Sequence, residues 1–139
     1  MKKSALFLFL IFSNTLYAKG IVFIAHPSCP LNKLSRTQLK DYYFKKIRQW
    51  PDHSTVRFFD RPESNLAREI FLQTVLNRSA RQVDNYWIEQ KFKSGDSAPS
   101  SVEDDLVVME LISRFPGAIS YLSEETPLNK QVKVIEVME

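Results

Sequence analysis

Short runs of β-branched and aromatic residues alternate with capped helical segments, and this alternation most limits the fold. Residues 20–25 (GIVFIA) form a continuous apolar run too short for a stable helix and read as a buried strand. Residues 26–30 (HPSCP) read as a loop, because two prolines remove amide donors and fix the backbone. Ser35 with Gln38 forms a capping box, Leu34 and Leu39 fit the hydrophobic staple, and Leu39, Tyr42 and Tyr43 recur at helical spacing, so 35–44 reads as helix. A polar stretch over 45–54 ends in a Pro-Asp turn signal before a second strand, 55–59 (TVRFF). Ser64 reads as the cap of a helix running to about Asn77, with Leu66, Ile70, Phe71 and Val75 as its apolar stripe. Ser79 and Gln82 make a second capping box, opening a helix that carries Val83, Tyr86 and Trp87 and fades near Gly95. Ser101 with Asp104 resembles a weaker cap for a helix through Leu106, Met109 and Ile112, which Phe115-Pro116-Gly117 stops. Residues 118–122 and 132–137 are two further strands. The order β-α-β-α-α-α-β-β predicts one α/β domain with a mainly parallel sheet flanked by helices. No internal repeat or linker divides it.

The beginning of the chain has another character. Met1-Lys2-Lys3 precedes an apolar run at 5–12, and Ser13-Asn14-Thr15 and Leu16-Tyr17-Ala18 follow. This is the order of a secretory signal peptide, with cleavage expected after Ala18. The run falls short of the ~20 residues of a membrane span. The expected product is a periplasmic domain, residues 19–139, with no transmembrane segment. The net charge of +3 then falls to +1, because Lys2 and Lys3 leave and no acid does. Nucleic acid is therefore not an expected partner. Apolar residues at 44% suffice for a packed core. Cys29 is the only cysteine, so no intrachain disulfide forms, and it is expected to be a small buried residue.

Motifs for chemistry are mostly absent. Three glycines do not build a dinucleotide loop, and no G-x-S-x-G or H-E-x-x-H occurs. His26, Cys29 and His53 fall short of a metal site with its supporting shell, and no group orients a Cys29–His26 nucleophile pair. The chain is expected to be no enzyme and to need no metal or cofactor. Glu103, Asp104 and Asp105 suit a helix start, Arg78, Arg81, Lys91 and Lys93 a solvated face, and Trp50, Trp87 and the tyrosines the core. The loop Asp60-Arg61-Pro62-Glu63-Ser64-Asn65 between a strand and a helix is more suggestive. A helix start offers unpaired N–H groups, Ser64 adds a hydroxyl, and Arg61 a forked cation suited to phosphate or sulfate. The alternative is an ordinary cap, with Ser64 satisfying its own helix and Arg61 paired with Asp60 or Glu63.

Several segments together resemble the phosphate-binding (PstS-like) group of periplasmic substrate-binding proteins. Residues 34–50 (LSRTQLKDYYFKKIRQW) are similar to that family's LS-x-x-x-L-x-x-I-F-x-G-K-I-x-x-W segment. Asp60-Arg61-Pro62-Glu63-Ser64 falls where the family has its arginine and S-G-T anion loop, Tyr86-Trp87 matches an aromatic pair, and residues 115–121 (FPGAISY) resemble x-P-G-A-I-G-Y. Asn65 and Leu66 stand in place of the loop's Gly and Thr, and Lys45 and Ser120 in place of two further glycines. The length matches about one of the family's two lobes. The resemblance implies one lobe of a type 2 periplasmic binding protein. It implies non-catalytic, weak binding of phosphate or another oxyanion by Arg61, Ser64 and Asn65, in the service of an ABC transporter. The other expectation is an accessory module that kept the lobe and lost the ligand, meeting a membrane transporter, a sensor or a second copy of itself.

Overall fold

The computed structural model describes residues 20–138. The leader expected over 1–18 lies outside them. Strand β1 (Ile21–Ala25) is followed by a short β2 (Lys33–Ser35) and helix α1 (Arg36–Tyr43). Next come β3 (Arg57–Phe58), α2 (Leu66–Phe71), a π-helical turn (Leu72–Leu76) and α3 (Ala80–Ser94). Helix α4 (Asp105–Arg114), β4 (Ala118–Ser123) and β5 (Lys133–Met138) complete the order. Among the described residues no helix is long and apolar enough to cross a membrane.

The five strands form one sheet in the order β2-β5-β1-β4-β3. The α/β class holds, and helices flank the sheet. Its pairing is mixed where the alternation predicts a mainly parallel sheet: β2 with β5 and β3 with β4 are parallel, whereas β1 is antiparallel to both β4 and β5. Four strands thus share a direction and β1, between β4 and β5, runs against them. Parallel neighbours need a crossover, usually helical. Helices α2 to α4 supply one between β3 and β4, but no helix separates β4 from β5.

Alternation along β1 divides the core. Ile21, Phe23 and Ala25 face the layer made by α1, α2, the π turn and α3, whose anchors include Tyr43, Phe71 and Trp87. Ile24 faces α4, against Val108, Met109 and Ile112. Both capping boxes form as read: Ser35 Oγ accepts from the Gln38 amide at 3.0 Å, and Ser79 Oγ from the Gln82 amide at 3.1 Å. Trp50, Trp87 and Cys29 are buried, as expected.

Two caps differ from the sequence reading. Asn65, not Ser64, caps α2, its amide oxygen accepting from the Ala67 N–H at 2.8 Å. Asp104, not Ser101, caps α4. In both cases an Asx oxygen reaches the amide two residues on. The helix expected to reach about Asn77 loses its α-helical register after Phe71, where Thr74 Oγ donates to the Ile70 carbonyl at 2.7 Å. Asn77 ends the turn in the left-handed region, φ 55°.

Gly117 joins the sheet to the loop before it. Its φ is +88°, and its carbonyl accepts from Trp50 Nε1 at 3.0 Å and from the Arg57 amide at 2.8 Å. A Cβ here would stand 2.0 Å from the Thr55 carbonyl oxygen.

Candidate functional site

The chain leaves β3 into Asp60 and Arg61, and both side chains turn inward. The Asp60 backbone forms a parallel bridge with Ser101: its amide donates to the Ser100 carbonyl and its carbonyl accepts from the Val102 amide. Asp60 is 4% exposed, and its carboxylate is a buried hub. It accepts from the Tyr43 hydroxyl at 2.6 Å, from the Tyr121 hydroxyl, from the Arg61 amide at 2.7 Å and from Arg68 Nε at 3.4 Å. The four donors come from α1, β4, the loop and α2.

Arg61 is a staple rather than a free cation. Its side chain is fully buried. Nε donates to the Val102 carbonyl at 2.8 Å, Nη1 to the Tyr121 carbonyl at 3.1 Å, and Nη2 to the Glu103 carbonyl at 2.9 Å and to Asp105 Oδ1 at 2.5 Å. The other Asp105 oxygen accepts from the Thr126 hydroxyl at 2.9 Å. The guanidinium fork is filled by acceptors of the chain itself. Its carboxylate partner is Asp105, rather than Asp60 or Glu63.

The three residues expected to hold an anion do not converge. Arg61 enters the interior. Ser64 and Asn65 line a neighbouring groove together with Arg68 and Arg78, and the Asn65 amide oxygen is committed to its cap. His26 Nδ1 accepts from the Ser28 amide at 3.0 Å, so its nearest partner is Ser28 rather than Cys29.

An open groove of about 460 Å³ lies over this hub, lined by Tyr43, Asp60, Arg68, Trp87, Pro99 and Ser101 among others. Arg68, one turn into α2, pairs with Asp60, and its side chain is a tenth exposed. Burial is the largest single influence and opposes its charge, but Asp60, Tyr43 and Tyr121 together outweigh it, so its ionisation is pushed up. Trp87 is 7% exposed, and its indole N–H is sealed from solvent with no hydrogen-bond partner among the described residues. Sequence reading missed Arg68. The signal was its place three residues before Phe71 and beside Ala67, within the stripe that α2 buries.

Burial, reinforced by the Asp60 charge, pushes the Tyr43 and Tyr121 hydroxyls well above the usual tyrosine range. The folded protein therefore keeps two protons that the unfolded chain releases near pH ~10. This stabilisation is fully present below the unfolded value and is lost as the pH rises past it. The urea midpoint should hold steady to about pH 9 and then fall, and Tyr121→Phe should flatten that fall. A slope unchanged in the Phe variant would dissociate the hub from alkaline unfolding.

No protein-family model matches the sequence, and no curated protein sequence does. Solved structures are similar to it in fold. An ABC-type phosphate transport receptor from Vibrio cholerae superposes with a TM-score of 0.65 at 16% identity, over 88% of this chain and 48% of the receptor. The chain has the fold of a periplasmic binding-protein lobe. A putative phosphate ABC transporter substrate-binding protein from Clostridium perfringens, with bound phosphate, gives 0.66 at 19% identity, over 88% and 47%. PstS from Borrelia burgdorferi gives 0.65 at 15%, over 85% and 47%. The chain spans about half the length of these proteins. At these identities the likeness is one of fold.

Proposed function

We propose that the chain is a non-catalytic, extracytoplasmic binding domain that takes a small oxyanion of the phosphate class in the groove over Asp60. One observation carries this reading: Trp87, whose buried indole N–H has no acceptor among the described residues, lines the same groove as the charged, nearly buried Arg68. An unpaired buried donor costs about 1–3 kcal/mol, and a bound oxyanion would supply the acceptor. Arg68, rather than the Arg61 expected from the sequence, is the cation of this reading, and the Asp60 carboxylate beside it keeps the affinity modest. The phosphate-binding proteins of the same fold support the choice of ligand class.

Calorimetric titration with inorganic phosphate at low ionic strength, with sulfate as comparison, tests it. Saturable binding is expected, together with a change in tryptophan fluorescence. Arg68→Lys retains a charge for Asp60 but loses the fork, and should weaken binding about tenfold. Trp87→Phe, which removes the N–H and keeps most of the ring, should weaken it several-fold. No heat at millimolar phosphate would discard the reading.

A further inference from the structure

The exposed face of α3 carries a stripe that is complementary to itself. Arg81, Asp84, Ile88, Lys91 and Phe92 recur at helical spacing beside the buried edge formed by Val83 and Trp87. Ile88 is 57% exposed and Phe92 87%, so two large apolar side chains stand in water four residues apart. With Trp87, Lys91 and Asp96 they line a shallow depression next to the groove. Asp84 and Arg81 have no ion-pair partner among the described residues. Charge along the stripe runs from Arg81 and Asp84 through the apolar Ile88 to Lys91 and Phe92, and Asp96 follows just beyond the helix end.

An isologous contact needs a surface that matches itself after a two-fold rotation. Two copies of α3 laid antiparallel about Ile88 meet this requirement. Ile88 then faces Ile88, Asp84 of each copy faces Lys91 of the other, and Phe92 packs beside the partner's Asp84–Ile88 turn. Arg81 falls near Asp96, which already holds Arg48 at 2.7 Å. The two helix dipoles oppose each other, which is the favourable arrangement. In the parallel arrangement like charges would coincide.

We infer that α3 is a docking surface for a second copy of this chain, related by a two-fold axis at Ile88. Asp84 and Ile88 also line the groove over Asp60, so the second copy stands at that groove's rim. The inference rests on α3 alone and is independent of what the groove binds.

Sedimentation equilibrium of the purified protein, from sub-micromolar to high micromolar concentration, tests it. A concentration-dependent monomer–dimer equilibrium is expected. Ile88→Lys and Phe92→Ser alter exposed side chains, so circular dichroism should show an intact fold. Each should weaken the dimer at least about tenfold, because a large apolar side chain is no longer buried on association. Asp84→Lys or Lys91→Asp alone should weaken it several-fold, and the two together should restore it, which a general change in surface charge would not do. A protein that stays monomeric throughout, a dimer indifferent to Ile88→Lys and Phe92→Ser, or adhesion to phospholipid vesicles in place of self-association would overturn the inference. A phosphate titration on the same samples keeps the two readings apart. Monomers that bind phosphate would remove the dimer alone, and dimers that bind none would remove the ligand alone.

Discussion

Arg61→Ala is expected to destabilise the fold by about 3–5 kcal/mol, because it strands several backbone acceptors at about 1–3 kcal/mol each, whereas its carboxylate partner Asp105 is 39% exposed and adds little. The side chain is fully buried, and its guanidinium ties three separate parts of the chain: residues 102–105, strand β4 and, through Asp105, Thr126. Truncation leaves the carbonyls of Val102, Glu103 and Tyr121 without this donor, and each unsatisfied buried acceptor carries a desolvation cost. Arg61→Lys should recover little of the loss, because an ammonium cannot reach four acceptors arranged around a planar fork. Urea denaturation followed by tryptophan fluorescence measures this. An unchanged midpoint in Arg61→Ala would show that the network contributes nothing to stability, and it would return Arg61 to the list of ligand-binding residues.

Gly117→Ala should cost about 3 kcal/mol or more, from left-handed backbone strain and overpacking together. The added Cβ would meet a backbone carbonyl at 2.0 Å, and that carbonyl cannot rotate aside as a flexible side chain does. Relief would require moving β3 away from β4, which would pull on the bonds that Trp50 and Arg57 donate to the Gly117 carbonyl. Gly95→Ala is the control. Its φ is also positive, at +80°, but nothing lies within 4 Å of an added Cβ. Strain alone should cost about 1–2 kcal/mol there. Equal losses at the two positions in thermal or urea unfolding would argue against the clash at Gly117.

Local chemistry was readable from sequence wherever a few adjacent residues decide the outcome. The boxes Ser35–Gln38 and Ser79–Gln82 and the stop at Phe115-Pro116-Gly117 all depend on neighbours in the chain. Strand β2 went unread between the loop at 26–30 and the helix cap at Ser35, because its partner is β5, about a hundred residues on. The same distance hid the fate of Arg61. The sequence offered Asp60 and Glu63 as its acids, whereas its acceptors lie at 102–105 and 121. Asn65 over Ser64 was a closer contest, since either side chain suits a cap. The groove itself was not legible: Arg68 and Trp87 come from different helices, and only the hub on Asp60 shows why the first is held there.

Strand β1 finds its partners in β4 and β5, about a hundred residues further on, with Phe23 opposite both Tyr121 and Ile135. The middle of the sheet therefore cannot close until residues 118–138 have been made. Helices α1 to α4 can form early, but they have no platform until residues 118–138 exist. Such a chain gains its cooperative core in one step and stays open, and threadable, until β5 arrives.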